Sequence, residues 1–493
     1  MRNWALCLIL TGLSWTLNAE DELHWPTFRG PAGLPIVEDG NLPAEFGPNN
    51  NVLWRCELPS GHSSPIILAD RIFLTAFQDN KLKLIAIDRK NGAIVWEKGT
   101  PRGWEPEFAH KAVSPAMATP CTDGKGVYFY FGGYGVIATS LDGELLWHRQ
   151  LPSSKRAIFG TGASPVLLKD GGLILQRDGG ENSAILCLNT KDGTVRWKVD
   201  RPGFISSYSS PYIWENSLRT EVVIAGTNTL RGLAAEDGKT LWEVGGTCVY
   251  PCSTPVSVGD RLFFAGWSTA NVEGAERMRA TFWGNLEITE DDAKNPRGLF
   301  DKLDKNSNGA LELNELPESR IKDGFAYLDR NKNQRMEFAE FHEFHASDKW
   351  DGRNVMVAVD AGANGDASRS HVAWEYTRNL PYVASPLAVN GRVYIVKSGG
   401  FLTCLDSESG EVKFRERLNV SGEYYATPIY VGGKILICAK DGTLIVIEDA
   451  DELKGLMEVE FEEEFFATPA FVDGVLYIRT DRALWAFGES NKE

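Results

Sequence analysis

A short triplet, two small residues followed by proline, recurs along this chain and constrains its fold more than any other feature. Its eight prolines are Pro65, Pro120, Pro165, Pro211, Pro255, Pro386, Pro428 and Pro469. Most intervals are 41 to 55 residues long, but the one from Pro255 to Pro386 is far longer and must hold an insertion. Between triplets, apolar runs alternate with glycine-containing turns, which predicts four short strands per repeat. A period of about 40 to 50 residues with four strands indicates an all-β fold, a β-propeller, here of eight blades.

A second motif repeats later in each unit. It spans 86–96, 187–197 and 234–242, with a shortened copy at 138–147 and a copy from Cys404 in which Phe414 replaces tryptophan. The pattern resembles the A-x-D-x-x-x-G-x-x-x-W blade motif of the PQQ-like propellers, the superfamily of quinoprotein dehydrogenases and BamB-like envelope proteins. The resemblance covers nearly the whole mature chain except the insertion. It implies that the tryptophan of the outer strand packs between neighbouring blades, since a large flat ring fills the wedge between radial sheets.

The two ends of the chain predict export and ring closure. Residues 1–19 carry Arg2, an apolar run and then Ala19, as a cleaved signal peptide does, and the run is too short to span a bilayer comfortably. Residues 20–51 form an N-terminal arm, ordered over the propeller or disordered, whose Trp25–Pro31 segment resembles the opening of bacterial PQQ-like propeller proteins. Residues 52–58 look like a lone fourth strand, and 467–487 supply only three strands. We therefore expect the first strand to complete the last blade, which removes two exposed edges.

The net charge argues against one class of partner, and the positions of the cysteines indicate their roles. A net charge of −16 argues against binding to nucleic-acid phosphates. Cys187, Cys404 and Cys438 lie in apolar runs and are most simply buried hydrophobic residues. Cys248 and Cys252 are close in sequence and either pair in an oxidising compartment or stay free, because spacing alone does not show the required geometry.

The insertion, residues 267–353, splits the propeller into 52–266 and 354–488 and contains two segments that fit the twelve-residue EF-hand loop. The expected ligands of the first loop are Asp304, Asn306, Asn308, Glu312, Glu315 and the carbonyl of Ala310. Those of the second are Asp329, Asn331, Asn333, Glu337, Glu340 and the carbonyl of Arg335. Calcium is a hard cation that takes six to eight oxygen ligands, which such loops supply. Apolar residues at helical spacing flank both loops and predict an EF-hand pair over about 299–345.

The two loops differ at their sixth position, which favours a positive φ. Gln334 replaces the usual glycine in the second loop, at a strain of about 1 kcal/mol, so we expect the first loop to bind more tightly. Asparagine at the third and fifth positions predicts affinities in the roughly micromolar to millimolar range. The loop between the second and third strands of a blade lies on the face where the chain enters each first strand. The insertion should therefore stand on the face of the pre-proline loops.

Those pre-proline loops carry side chains that could bind a ligand at the mouth of the channel. The candidates are His62, His110, Lys111, Phe159, Tyr208, Tyr250, Tyr382, Tyr424, Tyr425 and Phe465. The alternative is that these rings pack on one another and plug the channel.

Three functions compete: a scaffold, a PQQ-dependent dehydrogenase and a polysaccharide-active enzyme. Resemblance to the dehydrogenases implies a vicinal cysteine pair stacked on the quinone, and this chain has neither that pair nor a Cys-x-x-Cys-His haem motif. No paired-carboxylate or nucleophile motif supports a polysaccharide-active enzyme. We therefore expect a calcium-binding, non-catalytic and monomeric scaffold, periplasmic or extracellular, without PQQ or a transmembrane segment. Its loop face would bind an envelope protein or a glycan.

Overall fold

The computed structural model describes residues 24–100, 113–153, 159–179, 182–201, 204, 207–268, 289, 292, 295–323, 325–329, 332–345 and 352–489. These residues form eight antiparallel sheets of four blade strands each, arranged as an eight-bladed β-propeller. The predicted all-β, eight-bladed propeller is confirmed. The signal peptide predicted over 1–19 lies outside the described residues.

The blades follow the triplets in order. The strands of blades one and two are Ile66–Leu68, Arg71–Gln78, Lys81–Asp88, Ile94–Gly99, Cys121–Thr122, Val127–Tyr130, Val136–Thr139 and Leu145–Arg149. Those of blades three and four are Val166–Leu167, Gly172–Arg177, Ala184–Asn189, Val195–Asp200, Tyr212–Glu215, Thr220–Gly226, Thr229–Ala234 and Thr240–Gly245. Those of blades five and six are Val256–Val258, Arg261–Gly266, Val355–Asp360, Val372–Tyr376, Leu387–Val389, Arg392–Lys397, Phe401–Asp406 and Val412–Arg417. Those of blades seven and eight are Ile429–Val431, Lys434–Cys438, Thr443–Glu448, Gly455–Glu460, Ala470–Val472, Val475–Arg479, Ala483–Phe487 and Val52–Glu57.

The ring closes through the two ends of the chain. Val52–Glu57 pairs antiparallel with Ala483–Phe487, with Glu57 opposite Ala483, and so supplies the outer strand of blade eight. Next to this strand pairing, the buried guanidinium of Arg479 donates to the carbonyls of Ser63 (2.8 Å) and Thr75 (2.7 Å) in blade one. Burial without a carboxylate partner lowers the pKa of Arg479 to about 9. The two ends of the chain are therefore joined by strand pairing within blade eight, and Arg479 adds hydrogen bonds from that blade to blade one.

The repeated tryptophan connects five of the eight blades to the next, as the resemblance implied. The indole N–H groups of Trp54, Trp96, Trp147, Trp197 and Trp374 donate at 2.8–3.1 Å to carbonyls of the following blade, those of Arg89, Leu141, Thr190, Ala235 and Ser407. Each ring also covers a turn glycine of that blade: Gly92, Gly143, Gly193, Gly238 and Gly410. These glycines have φ between 69° and 82°, and an added Cβ would lie only 2.5–2.7 Å from the ring. The motif therefore needs glycine both for its backbone angle and for its lack of a side chain.

Blade four departs from this rule. Trp242 donates to the carboxylate of Glu221 in its own blade. The corresponding turn of blade five is the long segment 361–370, in which Gly365–Asp366 pairs in parallel with the outer strand of blade four at Trp242 and Glu243. This added strand covers an outer edge that would otherwise be open.

The described part of the N-terminal arm, from residue 24 onward, crosses the propeller. His24–Trp25 pairs with the inner strand of blade one, and Ile36–Val37 pairs in parallel with the inner strand of blade seven. Between these two pairings the arm forms a 3-10 turn at Pro31–Gly33. Buried Arg29 donates to the carbonyl of Pro255 in blade five at 2.8 Å. The arm therefore spans the end of the channel opposite the pre-proline loops.

The insertion has its own small core. Its helices are Pro296–Leu303, Arg320–Asp323, Phe325–Leu328 and Phe338–His345, and its strands Ala310–Leu311 and Met336–Glu337 pair antiparallel. The buried core residues are Leu299, Phe300, Leu303, Leu311, Leu316, Ile321, Phe325, Leu328, Met336 and Phe341. None of the described helices is long and apolar enough to cross a bilayer.

All the cysteines of the described segments are free thiols. Cys187, Cys404 and Cys438 are buried, as predicted. Cys248 is buried and Cys252 partly exposed, and no disulfide joins them. Of the two alternatives for this pair, the structure has the unpaired one.

Candidate functional site

The first candidate loop, 304–315, wraps its polar side chains around its own backbone. The carboxylate of Asp304 accepts from the N–H groups of Asn308 (3.1 Å) and Gly309 (2.8 Å). At the other end, Glu315 accepts from the N–H groups of Asn306 (3.1 Å) and Glu312 (2.9 Å). First and last carboxylates are therefore both turned into the loop, where the predicted ligand positions lie between them.

The second loop, 329–340, has the same hydrogen-bond pattern. Asp329 accepts from the N–H groups of Asn333 (3.1 Å) and Gln334 (2.7 Å), and Glu340 accepts from Glu337 at 3.0 Å. Asn331 lies outside the described residues. The sixth position has φ 82° at Gly309 and φ 64° at Gln334, so glutamine is held in a region that disfavours side chains.

Three of the four carboxylates that open or close these loops are nearly buried. Asp304, Glu315 and Asp329 are 6%, 4% and 5% exposed, and none forms an ion pair within the described residues. In that part of the chain, no group of three or more His, Cys, Asp or Glu side chains is placed to hold a metal. Each loop instead combines carboxylates with side-chain amides and a backbone carbonyl, a hard-oxygen set that suits calcium.

The second candidate site is the mouth of the propeller, which the repeated triplets build. In each triplet the residue before proline is serine or threonine and lines the mouth, and so does the residue two positions earlier. The small residue between them is buried in the blade. Alternate residues of an extended chain point to opposite sides, which explains this spacing. The proline that follows lacks an N–H, so it leaves no unpaired donor at the open inner edge of the blade.

The hydroxyl residues of the triplets form a closed ring of hydrogen bonds. The backbone N–H of each donates at 2.8–3.3 Å to the side-chain oxygen of the next blade's member. The members are Ser64, Thr119, Ser164, Ser210, Thr254, Ser385, Thr427 and Thr468. The circle closes from the N–H of Thr468 to the hydroxyl of Ser64 at 3.0 Å. We call this the hydroxyl ring.

Above the hydroxyl ring, a wider tier of side chains lines the opening. It consists of His62, Val113, Met117, Phe159, Gly162, Tyr208, Cys252, Tyr382, Val383, Tyr425 and Phe466. Phe28 of the N-terminal arm lines the same cavity, which has a volume of about 220 Å³. The mouth is therefore an open cavity rather than a fully plugged one.

Several residues that the sequence predicted at the mouth lie elsewhere or outside the described residues. Tyr424 and Phe465 are 1% and 0% exposed and pack between blades, so their assignment to the mouth was wrong. Their neighbours Tyr425 and Phe466 line the mouth. Sequence reasoning missed Phe466, although its position two residues before Thr468 would have found it. Tyr250 is not among the lining residues, and His110 and Lys111 lie outside the described residues.

The described lining of the mouth carries no net charge at neutral pH. The His62 ring stacks on Phe466 with centroids 3.9 Å apart. Burial, with Arg479 and Lys440 nearby, lowers the pKa of His62 to about 3. Burial also raises the pKa of Tyr382, and it raises that of Cys252 to about 12. The imidazole, phenol and thiol groups are therefore all neutral.

The insertion leaves and rejoins blade five at the edge of this mouth. Ser268 and Asn354 exchange two hydrogen bonds (2.8 and 3.1 Å) that hold the ends of the insertion together. Trp267 packs edge-on against Tyr382, with ring centroids 5.5 Å apart. The insertion thus leaves blade five on the face of the pre-proline loops, where the strand order places it.

The quinone cofactor PQQ does not fit this lining. PQQ carries several carboxylates, and the lining residues described for the mouth include no arginine or lysine to pair with them. Burying unpaired carboxylates among aromatic rings and hydroxyls costs several kcal/mol in order of magnitude. We therefore derive no chemistry through this cofactor.

Solved structures with a similar fold include a BamB protein and two dehydrogenases. BamB from Moraxella catarrhalis matches with a TM-score of 0.50 at 12% identity, covering 90% of this chain and 98% of that one. A europium-containing methanol dehydrogenase matches with a TM-score of 0.52 at 10% identity, covering 93% and 90% of the two chains. The quinohemoprotein alcohol dehydrogenase of Comamonas testosteroni matches with a TM-score of 0.52 at 12% identity, covering 97% and 82%. At these identities the likeness shows the fold alone.

Sequence comparison is more specific. Outer membrane protein assembly factor BamB of Yersinia pestis is 21% identical over 428 residues, which cover 83% of this chain and 90% of that protein. The family model for outer membrane protein assembly factor BamB matches residues 38–160, 158–270 and 352–455. The gap from 271 to 351 falls within the predicted insertion. Because these matches cover more than half of the chain, the protein belongs to the family of outer membrane protein assembly factor BamB.

Proposed function

We propose that the insertion is an EF-hand pair that binds two calcium ions, the first more tightly. The observation that carries this proposal is the set of three nearly buried carboxylates, Asp304, Glu315 and Asp329, with no cationic side chain paired to them in the described chain. Buried carboxylates of this kind are stable when they coordinate a metal ion. The short strand pair Ala310–Leu311 and Met336–Glu337 couples the two loops, so that occupancy of one loop orders the other.

Calcium supplies positive charge and ordering in this proposal. It would be held by Asp304, Asn306, Asn308, the carbonyl of Ala310, Glu312 and Glu315 in the first loop. In the second it would be held by Asp329, Asn331, Asn333, the carbonyl of Arg335, Glu337 and Glu340. Because the helices of the insertion share one apolar core, filling the loops stabilises the whole insertion beside the mouth.

We further propose that the protein is an exported, non-catalytic scaffold that binds another protein of the cell envelope during outer-membrane protein assembly. Membership of the BamB family supports this role. Residues 1–19 serve as the export signal in this proposal and would deliver the protein to the periplasm. The described lining of the mouth holds hydroxyls, aromatic rings and neutral groups, which suits recognition better than acid–base chemistry.

Calorimetric titration with calcium tests the first proposal. The wild type should release heat at two sites, Glu315→Gln should lose the tighter one, and Glu340→Gln the weaker one. The double variant should bind no calcium while the propeller keeps its far-ultraviolet circular dichroism. Glu318→Gln is the matched control, because this exposed residue lies just outside the first loop and pairs with Lys322 on the surface. Stoichiometric calcium binding by the double variant would refute the assignment.

Affinity purification from the protein's own envelope tests the scaffold proposal. A tagged wild type should recover a component of the outer-membrane assembly machinery, identified by mass spectrometry. Recovery should fall in the presence of a calcium chelator if the insertion takes part. Recovery of no such component after cross-linking would contradict this role.

A further inference from the structure

The mouth cavity has the size of a pocket for one side chain. Its volume of about 220 Å³ is below the range of about 300–1,000 Å³ typical of pockets for drug-sized ligands. Phe28 lines its inner end, where the N-terminal arm spans the channel. Aromatic rings stand around its opening, and two pairs of them meet edge-on or stacked: Phe159 with Tyr208, and His62 with Phe466. A flat ring entering between these walls would be enclosed on several sides.

The hydroxyl ring leaves hydrogen-bond donors for whatever enters. Each of the eight hydroxyl oxygens already accepts one bond from the neighbouring blade's N–H. A hydroxyl has one hydrogen to donate as well as lone pairs to accept. Within the described residues, none of these eight hydroxyls donates to a protein acceptor. Their hydrogens are therefore free to bond an acceptor atom on the propeller axis.

Charge limits the identity of that acceptor. The described lining residues are apolar, aromatic or neutral, and burial keeps His62 unprotonated at neutral pH. Of the two cations near His62, Arg479 is buried and donates to the carbonyls of Ser63 and Thr75. Lys440 lies 5.6 Å from the Tyr425 and Phe466 ring centroids and is paired with Glu423 at 2.9 Å. A charged group in the cavity would lose its hydration without gaining a partner. The acceptor must therefore belong to an uncharged group.

We propose that the mouth binds a neutral aromatic ring bearing a hydrogen-bond-accepting oxygen, presented as a tyrosine side chain by a polypeptide. The ring packs against the aromatic tier, and its oxygen accepts from the hydroxyl ring below. This inference rests on the proposed function, because a scaffold for envelope proteins has polypeptides as its partners. Buried tyrosines in interfaces combine this apolar area with one polar end.

Saturation-transfer NMR with short peptides tests the proposal on the full-length protein. The probes are Gly-Gly-Tyr-Gly-Gly, its phenylalanine counterpart, free p-cresol and glucose. We expect the tyrosine peptide to bind about three- to tenfold more tightly than the phenylalanine peptide, the effect of one hydrogen bond. Equal binding of the two peptides would overturn the role of the hydroxyl ring. Binding of glucose alone, or of p-cresol without the peptide, would overturn the ligand class or its polypeptide source.

A filling variant locates the binding site. Gly162 lines the mouth and has an ordinary backbone angle. A Cβ added there lies 3.3 Å from the Cβ of Tyr208, so Gly162→Leu places a side chain against this aromatic wall of the cavity. We expect at least tenfold weaker binding of the tyrosine peptide. Gly455→Leu is the matched control, because a side chain there meets no neighbour on an outer strand, and it should bind like the wild type. Unchanged binding by a folded Gly162→Leu would overturn the proposal. These probes need neither calcium nor an envelope partner, so their result is independent of the scaffold test.

Discussion

Replacing Thr119 by valine removes one member of the hydroxyl ring and keeps the shape of the side chain. In the wild type, the hydroxyl of Thr119 accepts from the backbone N–H of Ser64 at 2.9 Å. Both residues are 2% exposed, so water has little access to the N–H when its acceptor is lost. The N–H of Thr119 still donates to Ser164 at 3.0 Å, and the rest of the ring is untouched.

The expected loss of stability follows from the backbone N–H of Ser64, which is left without an acceptor. A buried N–H that loses its only partner costs about 1–3 kcal/mol. The added methyl group of valine recovers at most about 0.8 kcal/mol by apolar burial. We therefore expect the free energy of unfolding to fall by about 1–2 kcal/mol. Thr119→Ser keeps the acceptor and should lose less than about 1 kcal/mol, through one missing methyl group.

Urea unfolding, followed by tryptophan fluorescence and circular dichroism, measures the difference. Thr240→Val is the control, because Thr240 is exposed on an outer strand and should tolerate the change. If Thr119→Val unfolds at the wild-type urea midpoint, the hydroxyl ring does not stabilise the junctions between blades, and the reason given for the repeated triplet is wrong.

Two further predictions concern the calcium loops and the mouth. Gln334→Gly puts glycine at a backbone position with φ 64° and should release about 1 kcal/mol of strain. We expect calorimetry to show about fivefold tighter calcium binding in the second loop. An unchanged affinity would show that this strain does not limit binding. The pKa of His62 is lowered to about 3, mainly by burial, whereas the unfolded chain protonates its histidines near pH 6.5. The unfolded state then binds a proton that the folded state does not, so the stability present above about pH 6.5 is lost as the pH falls towards 3. His62→Phe, which keeps the stack on Phe466, should lose less stability over this range in urea titrations; the same pH dependence as the wild type would contradict the assignment.

Much of the fold could be predicted because the repeated residues have fixed structural roles in every blade. The triplets predicted the number of blades, since each marks a point where the chain enters the inner strand. The unmatched strand at 52–57 predicted closure, because an open propeller would leave two edges without partners. The blade motif predicted the tryptophan contacts, although its glycine was explained only when Trp54 was seen lying over Gly92. That the two loops of the insertion bind calcium through the named ligands remains a prediction.

The sequence by itself determined the properties that are encoded locally: strand periodicity, turn glycines, the proline that ends each triplet and the spacing of oxygen-bearing side chains in the two loops. Only the tertiary structure decided which of two adjacent aromatic residues faces the mouth, as with Phe465 and Phe466, because that choice depends on where the neighbouring blade leaves space. It also decided that the arm spans the channel and that the hydroxyl ring closes from Thr468 to Ser64, 404 residues apart. Contacts of this kind depend on the curvature of the whole ring, to which every blade contributes and which no single repeat contains.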